Sequence, residues 1–353
     1  MSVHLISATE AMARLGRFDA ILDARSEGEH AEDHLPGALS WPSLNNDERI
    51  RVGTLYKQVN PFEAQKVGAA LVAKNIARHI ETHVMDKPKS WQPLVYCWRG
   101  GKRSNSLALI LGQIGFKVHL IEGGYKAFRH AVIEDTPEQA RRLQFRVLCG
   151  PTGSGKTRLL QALAQQGAQV LDLEQLARHR SSVLGLIPGM PQPTQKAFDT
   201  QIWNALRGFS PDRPVYVEAE SKKVGNLAVP DALMAAMRAS PCLRVDLSLE
   251  DRVNLLLEDY AFFTQDPALF SERLDRLTAL RGKAVVSGWQ KRIERSEMRE
   301  VVTELLLAHY DPGYENSTGN HFVHYALATR ITPASHSKAD MLAQAREMVQ
   351  KTY

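Results

Sequence analysis

The sequence predicts an α/β protein with two successive parallel-sheet layers and a helical C-terminal part. Three observations predict it. Short apolar runs alternate with helix signals along the first part of the chain. A second alternation begins at Gln144, and after about Leu249 the pattern is mostly helical. Two strand-to-helix turns, Cys97–Ser104 and Gly150–Thr157, carry the residues expected of anion-binding loops.

Val3–Ile6 is the first strand candidate, and Ser7 with Glu10 reads as a capping box opening a helix. Ala20–Leu22 is the next strand, ending at Asp23. Asn60-Pro61 with Glu63 starts a helix whose expected apolar stripe is Val67, Ala70, Leu71, Ala77, Ile80 and Val84. Pro93–Tyr96 is a strand running into Cys97. Leu107–Ile114 is a helix stopped by Gly115, and Lys117–Ile121 is a strand. Thr136–Arg142 reads as a polar, partly helical connector. Phe145–Cys149 is then a strand, Arg158–Gln166 a helix, and Gln169–Asp172, Val215–Ala219 and Leu243–Leu247 further strands. Leu184–Thr194, rich in Gly and Pro, reads as a loop. The expected division is a first domain over 1–137, a linker over 138–143 and a second domain over 144–353.

The chain has 353 residues, enough for two domains, with 44% hydrophobic and 24% charged residues, as in soluble globular proteins. No apolar run approaches the roughly 18 residues of a membrane span. The start, MSVHLISATE, lacks a basic segment followed by an apolar one, so a cytoplasmic protein is expected. Three scattered cysteines, Cys97, Cys149 and Cys242, suit neither a disulfide framework nor a zinc site, and no metal centre is expected from Cys or His spacing. The net charge of +5 is compatible with a polyanionic partner.

Cys97 lies between a strand and a helix. Gly100 and Gly101 permit a tight turn with inward-pointing amides. Arg99, Lys102 and Arg103 add positive charge, Ser104 closes the loop, and the following helix adds the positive end of its dipole. These features favour a nucleophilic thiolate. Gly150–Thr157, GPTGSGKT, matches the phosphate-loop pattern Gly-x-x-x-x-Gly-Lys-Ser/Thr in the right strand-to-helix context. The amides around Gly150, Gly153, Ser154 and Gly155 with Lys156 are expected to hold a di- or triphosphate. Thr157 offers a ligand for Mg²⁺. Asp172, Glu174, Glu218 and Glu220 at strand ends are the candidate acidic partners. No base-recognition motif accompanies the loop.

Residue patterns leave two readings open: a Cys-dependent phosphatase or sulfurtransferase fused to a nucleotide-binding domain, and a P-loop kinase or ATPase with a regulatory module; the resemblance given below adds a third, a non-catalytic tRNA-binding protein. Several blocks then carry a resemblance. Asp23, Arg25 and His34–Ala38, the Cys97 loop and Glu122–Tyr125 resemble the motifs of a rhodanese domain. Arg103 comes six positions after Cys97, one later than in many rhodanese loops and at the spacing of related cysteine phosphatases. The wider ring suits a phosphate-bearing donor. With NNDER (Asn45–Arg49), VGTLYKQ (Val52–Gln58), LDLEQLARHRSS (Leu171–Ser182), VEAESKKVGN (Val217–Asn226), EDY (Glu258–Tyr260) and YDPGY (Tyr310–Tyr314), the chain resembles the bacterial tRNA 2-selenouridine synthases over about residues 5 to 325.

That resemblance implies an enzyme replacing the 2-thio sulfur of a wobble uridine by selenium. The implied first step is S-geranylation from geranyl diphosphate, and the second is displacement of geranyl thiol by selenium from selenophosphate. Cys97 matches the family's catalytic cysteine, proposed to carry selenium as an S-selanyl adduct. Arg99, Gly100, Gly101, Lys102, Arg103 and Ser104 would hold selenophosphate, and the phosphate loop the diphosphate. Val183, Leu184, Leu186 and Ile187 are candidates for the prenyl tail. Arg178, His179, Arg180, Lys222 and Lys223 are candidates for tRNA phosphates, and Trp98 for stacking on the base. The implied partners are tRNA with 2-thiouridine at the wobble position and the enzyme supplying selenophosphate. No tightly bound cofactor is implied, and Mg²⁺ is the one candidate ion.

Overall fold

The computed structural model describes residues 3–182 and 184–351, so Val183 lies outside the described residues. The chain forms two compact units. The first runs to Asp135 and also takes Pro193–Asn204; the second comprises Thr136–Gln192 and the chain from Ala205.

The first unit is built on a parallel five-stranded sheet. Its strands are β1 (Val3–Ile6), β2 (Ala20–Asp23), β3 (Ala38–Ser40), β4 (Pro93–Tyr96) and β5 (Val118–Ile121), in the order β1-β5-β4-β2-β3. Strand β4, buried at every position, is central, so the residue after it sits at the middle of the sheet's carboxyl edge. Ser7 caps helix Ala8–Ala13 by accepting the Glu10 N–H, and Asn60 caps helix Pro61–His83 by accepting that of Glu63. That helix buries Ala64, Asn75, Ile76 and His79, whereas Ala70 and Ala77 of the expected stripe are exposed. Two polar side chains face inward because they are satisfied there. Asn75 Nδ2 donates to Glu48 at 2.6 Å and to the Ser43 carbonyl at 3.2 Å, and His79 Nε2 lies 3.0 Å from the Pro42 carbonyl. Apolar periodicity is blind to such a face.

Helix Lys102–Ile114 begins earlier than expected and ends at Gly115, whose φ of 115° needs glycine. Thr136–Arg142 is the last part of helix Gly124–Arg142. Helix Gln195–Gly208 places Trp203 in the core of the first unit with Tyr96, Tyr125 and Phe128.

The second unit has its own parallel sheet. Strands β6 (Phe145–Cys149), β7 (Gln169–Leu171), β8 (Val215–Glu218), β11 (Cys242–Val245) and β12 (Thr329–Ile331) take the order β12-β11-β6-β8-β7; β9 (Lys223–Val224) and β10 (Leu227–Ala228) form a separate hairpin. β12 is a strand that the helical reading of the C-terminal part misses. Helices Lys156–Gln165 and Lys338–Lys351 cover the sheet through Leu159, Leu160, Leu163, Met341, Ala345 and Met348. A second core of Phe263, Phe270, Leu274, Trp289 and Leu305 holds the helical part together.

Candidate active sites

In the first unit, the Cys97 sulfur is buried and receives two hydrogen bonds. The Gly101 N–H reaches Sγ at 3.3 Å and the Ser104 hydroxyl at 3.0 Å. The first turn of helix Lys102–Ile114 follows directly, so the dipole end expected from the sequence is in place. The loop is closed by backbone: Tyr125 N–H donates to the Cys97 carbonyl at 2.8 Å and Lys126 N–H to that of Trp98 at 3.0 Å. Gly124 allows this approach. A Cβ there would lie 2.3 Å from the Cys97 carbonyl oxygen and 2.6 Å from Gly100 N.

Arg99 and Lys102 are exposed at the loop. Arg103 is paired with Glu29 at 2.8 Å, and Arg49 joins the same carboxylate at 3.2 Å. The three expected cations are thus unequal: two are open to a ligand and one is already neutralised. Glu29 is held below its usual range; burial alone would raise it, but Arg103 and then Arg49 outweigh that.

Asp23 and Arg25 belong to a buried polar network that sequence reasoning found only in part. Asp23 and Arg25, both almost fully buried, pair at 2.6 Å, and Tyr96 Oη donates to Asp23 at 2.8 Å. Arg25 also donates to the Asp33 carbonyl at 2.6 Å and lies 4.0 Å over the Tyr125 ring. Asp33 accepts from Tyr125 Oη at 2.7 Å and from Thr200 Oγ1 at 2.9 Å. Tyr125 in turn stacks on Trp98 at 5.4 Å, and Lys196 Nζ sits 6.0 Å from the Trp98 ring. Asp23 and Arg25 carried a motif signal; Asp33, Thr200 and Lys196 carried none.

In the second unit, the phosphate loop follows central β6. Gly150, Gly153 and Gly155 have φ of 145°, 78° and 86°, which only glycine adopts readily. Lys156 Nζ folds back on the loop, donating to the Gly150 carbonyl at 2.6 Å and that of Pro151 at 3.3 Å. Tyr314 closes one side: its hydroxyl accepts the Gly150 N–H at 2.6 Å, and its ring lies 5.5 Å from Lys156 Nζ. Arg252 holds the Thr152 carbonyl at 2.8 Å and pairs with Asp311 at 2.6 Å. The YDPGY segment therefore supports the loop through Asp311 and Tyr314. Glu258 and Asp259 of EDY pair with Arg158, which follows the loop, at 2.9 and 2.6 Å. Cys149 is buried and hydrogen-bonded to Cys242. Both effects push its thiol well above the usual range, so it is a core residue.

All four acidic candidates line one cavity of about 1280 Å³ with Lys156 and Thr157. Asp172 caps helix Leu173–Ala177, accepting the Gln175 N–H at 2.8 Å, and burial raises its carboxyl. Glu174, Glu218 and Glu220 bring carboxylate oxygens within 4.8 Å of one another. Burial first, and then mutual repulsion, pushes each of the three up to about 8. Glu218 Oε1 is buried without a hydrogen-bond partner, and Thr157 Oγ1 lies 3.5 Å from Glu174. A hard cation such as Mg²⁺ fits this set of oxygen donors and would satisfy the orphaned oxygen.

The basic candidates separate. Arg178 and Lys222 line the same cavity and are exposed, although Lys222 pairs with Asp231 at 3.0 Å. Lys223 is exposed on β9. Arg180 packs 4.5 Å over the Tyr260 ring. His179 is buried, and burial lowers its pKa. It forms part of the cavity wall instead of offering an exposed cation to phosphate. Leu184 is buried, whereas Leu186 and Ile187 are half-buried. Among the described residues, no helix is long and apolar enough to cross a membrane.

A family model described as "tRNA 2-selenouridine synthase AAA domain" matches residues 143–269, and one described as "Rhodanese-like domain" matches residues 7–131. A tRNA 2-selenouridine synthase of Alcanivorax borkumensis is 32% identical over 325 residues, covering 89% of this chain and 87% of that protein. One from Nitrosomonas europaea is 36% identical over 251 residues, covering 69% of this chain and 64% of its own length. One from Marinobacter nauticus is 35% identical over 243 residues, covering 68% and 65%. The chain thus spans somewhat under two thirds of the latter two relatives.

Proposed function

The chain belongs to the tRNA 2-selenouridine synthase family, and from that premise we propose that it exchanges sulfur for selenium at the 2-thio position of a wobble uridine in tRNA. The reaction runs in two steps. In the first, the thiocarbonyl sulfur attacks C1 of geranyl diphosphate; the S–C bond forms, the C–O bond breaks and diphosphate leaves. In the second, the selenium of selenophosphate attacks C2 of the S-geranylated base; the C2–Se bond forms, the C2–S bond breaks and geranyl thiolate leaves, taking a proton, and water then cleaves the Se–P bond to give phosphate and the 2-seleno base. Alkylation matters because a thiol leaves far more readily than a sulfide dianion.

The observation that carries this reading is the coexistence of two anion loops with different reactive ends. Cys97 receives the Gly101 N–H and the Ser104 hydroxyl on its sulfur, beside exposed Arg99 and Lys102. This suits handling of selenium from a phosphate-bearing donor. The second loop has Lys156 in place of a nucleophile. Lys156 Nζ, now on carbonyl oxygens, is the side chain that would turn to the departing diphosphate. Mg²⁺ held by Glu174, Glu218, Glu220 and Thr157 would supply further positive charge to that leaving group. Arg178, Lys222 and Lys223 are exposed cations suited to tRNA phosphates. A cytoplasmic location, with a selenophosphate-forming enzyme as supplier, is part of the same proposal.

The test is mass spectrometry of wobble nucleosides after incubation with 2-thiouridine tRNA, geranyl diphosphate and selenophosphate, omitting each in turn. Omission of selenophosphate should leave the S-geranyl nucleoside, and omission of geranyl diphosphate should leave 2-thiouridine. Cys97→Ser should abolish selenation and retain geranylation. Loss of both activities with the fold intact would overturn this division of labour.

A further inference from the structure

Beside the phosphate loop, within the second unit, is a smaller apolar pocket of about 60 Å³. Leu184, Phe263, Phe270, Val302, Leu305 and Leu306 form its walls, and Thr152 of the phosphate loop is at its edge. Four residues, Thr152, Ser182, Leu256 and Tyr260, line both this pocket and the large anion cavity. The two spaces are therefore neighbours that share these lining residues. One side has Lys156, loop amides and carboxylates; the other is hydrocarbon and aromatic surface, with Tyr260, Phe263 and Phe270 stacked in series at 5.8 and 4.7 Å.

That pairing selects a ligand with a polyanionic head and an apolar tail. Sugar hydroxyls and base edges of a nucleotide would lose their water against Leu184, Phe270 and Leu305 with few partners to replace it. Hydrocarbon gains from the same surroundings. Resting on the diphosphate reading above, we propose that this pocket receives the far end of the isoprenoid chain and that its walls, Val302 and Leu305 above all, limit the chain length accepted. Size supports a limit. A cavity of roughly 150 Å³ takes a benzene-sized molecule, so about 60 Å³ takes the terminal branch of one isoprene unit and no further unit beyond it. Val302 is the position to change, because it is half-buried and lines only the apolar side.

Calorimetric titration of the full chain with Mg²⁺ and inorganic pyrophosphate, geranyl diphosphate or farnesyl diphosphate tests this. The wild type should bind geranyl diphosphate at least ten-fold more tightly than pyrophosphate, and farnesyl diphosphate less tightly than geranyl. Val302→Phe should bring geranyl diphosphate down to the pyrophosphate level while pyrophosphate binding stays within two-fold. Val302→Ala should move the preference at least five-fold towards the farnesyl compound; should the larger side chain prevent folding, this smaller variant decides alone. If geranyl diphosphate binds no better than pyrophosphate, or the geranyl-to-farnesyl ratio does not respond to Val302, the pocket assignment is overturned and the diphosphate reading stands. If neither pyrophosphate nor geranyl diphosphate binds, the diphosphate reading itself is wrong and this inference falls with it.

Discussion

Ser104 donates its hydroxyl to Cys97 Sγ at 3.0 Å, and both side chains are buried. A hydrogen bond to a charged group contributes about 1.5–3 kcal/mol, and a sulfur that carries negative charge in the selenium step would gain it from this hydroxyl. Ser104→Ala should therefore slow the selenium step about ten-fold or more in single turnover. Geranylation of the same tRNA should be unchanged, as should the melting temperature to within a few degrees. Quantifying both modified nucleosides over time checks this; parallel loss of both steps would mean that Ser104 acts through the fold.

Lys156 presents the complementary case. Its ammonium rests on the Gly150 and Pro151 carbonyls, and a diphosphate would draw it away. Lys156→Ala should reduce geranylation by about a hundred-fold, the usual cost of removing one preorganised donor from a developing anion. Supplied with tRNA that is already S-geranylated, the variant should still form 2-selenouridine at near wild-type rate. Equal impairment of both steps would remove the phosphate loop from its assigned role.

Both loops were legible in the sequence because each is a short local pattern set by backbone sterics, with glycines at Gly100, Gly124, Gly150, Gly153 and Gly155 where a side chain would collide or φ is positive. The four strand-end carboxylates were legible for the same reason, though their convergence needed the β6-β8-β7 order to be known. Residues acting at long range were not. Thr200 meets Asp33, and Tyr314 meets Gly150, through tertiary packing with no local signal. The face of helix Pro61–His83 was read in part: Val84 is buried and Val67, Leu71 and Ile80 are half-buried, but Asn75 and His79 are also buried, through specific partners that apolar periodicity does not record. His179 looked like an exposed cation beside Arg178 and Arg180, yet it is buried.

The hydrogen bond from Thr200 to Asp33 makes a stability prediction. Asp33 is buried and its Oδ2 accepts both the Tyr125 and Thr200 hydroxyls. Thr200→Val keeps the shape and removes one donor, leaving the carboxylate under-satisfied at a cost of about 1–3 kcal/mol. The urea midpoint should fall with an unchanged slope. A midpoint equal to wild type would show that Asp33 is satisfied without Thr200.

Docking of tRNA through Arg178, Lys222 and Lys223 should be strongly salt-dependent, because each phosphate neutralised releases counterions. Replacing Lys222 and Lys223 by Ala should weaken binding. The slope of log affinity against log salt should become shallower by about 0.7 for each single-strand phosphate that is no longer neutralised. Filter binding across a salt series measures it. A slope that is flat in the wild type, or unaltered in the variant, would remove these lysines from the interface.

The glutamate cluster fixes how the metal-free protein responds to pH. Glu218 and Glu220 are buried, and each is pushed up to about 8 in the folded chain, against 4.5 for an ordinary glutamate. Between those two values the folded state holds protons that the unfolded state has released, so stability falls as pH rises. The loss begins above about 4.5 and is complete once the pH passes about 8. The metal-free enzyme should accordingly melt at a lower temperature at pH 8 than at pH 6, and Glu218→Gln, which cannot ionise, should reduce that difference. Mg²⁺ should raise the melting temperature more at pH 8 than at pH 6, because the carboxylates must be ionised to hold it. Melting curves at the two pH values, with and without Mg²⁺, decide the matter. A wild type whose pH trend matches Glu218→Gln would show that the three carboxylates do not share the burial and repulsion described here.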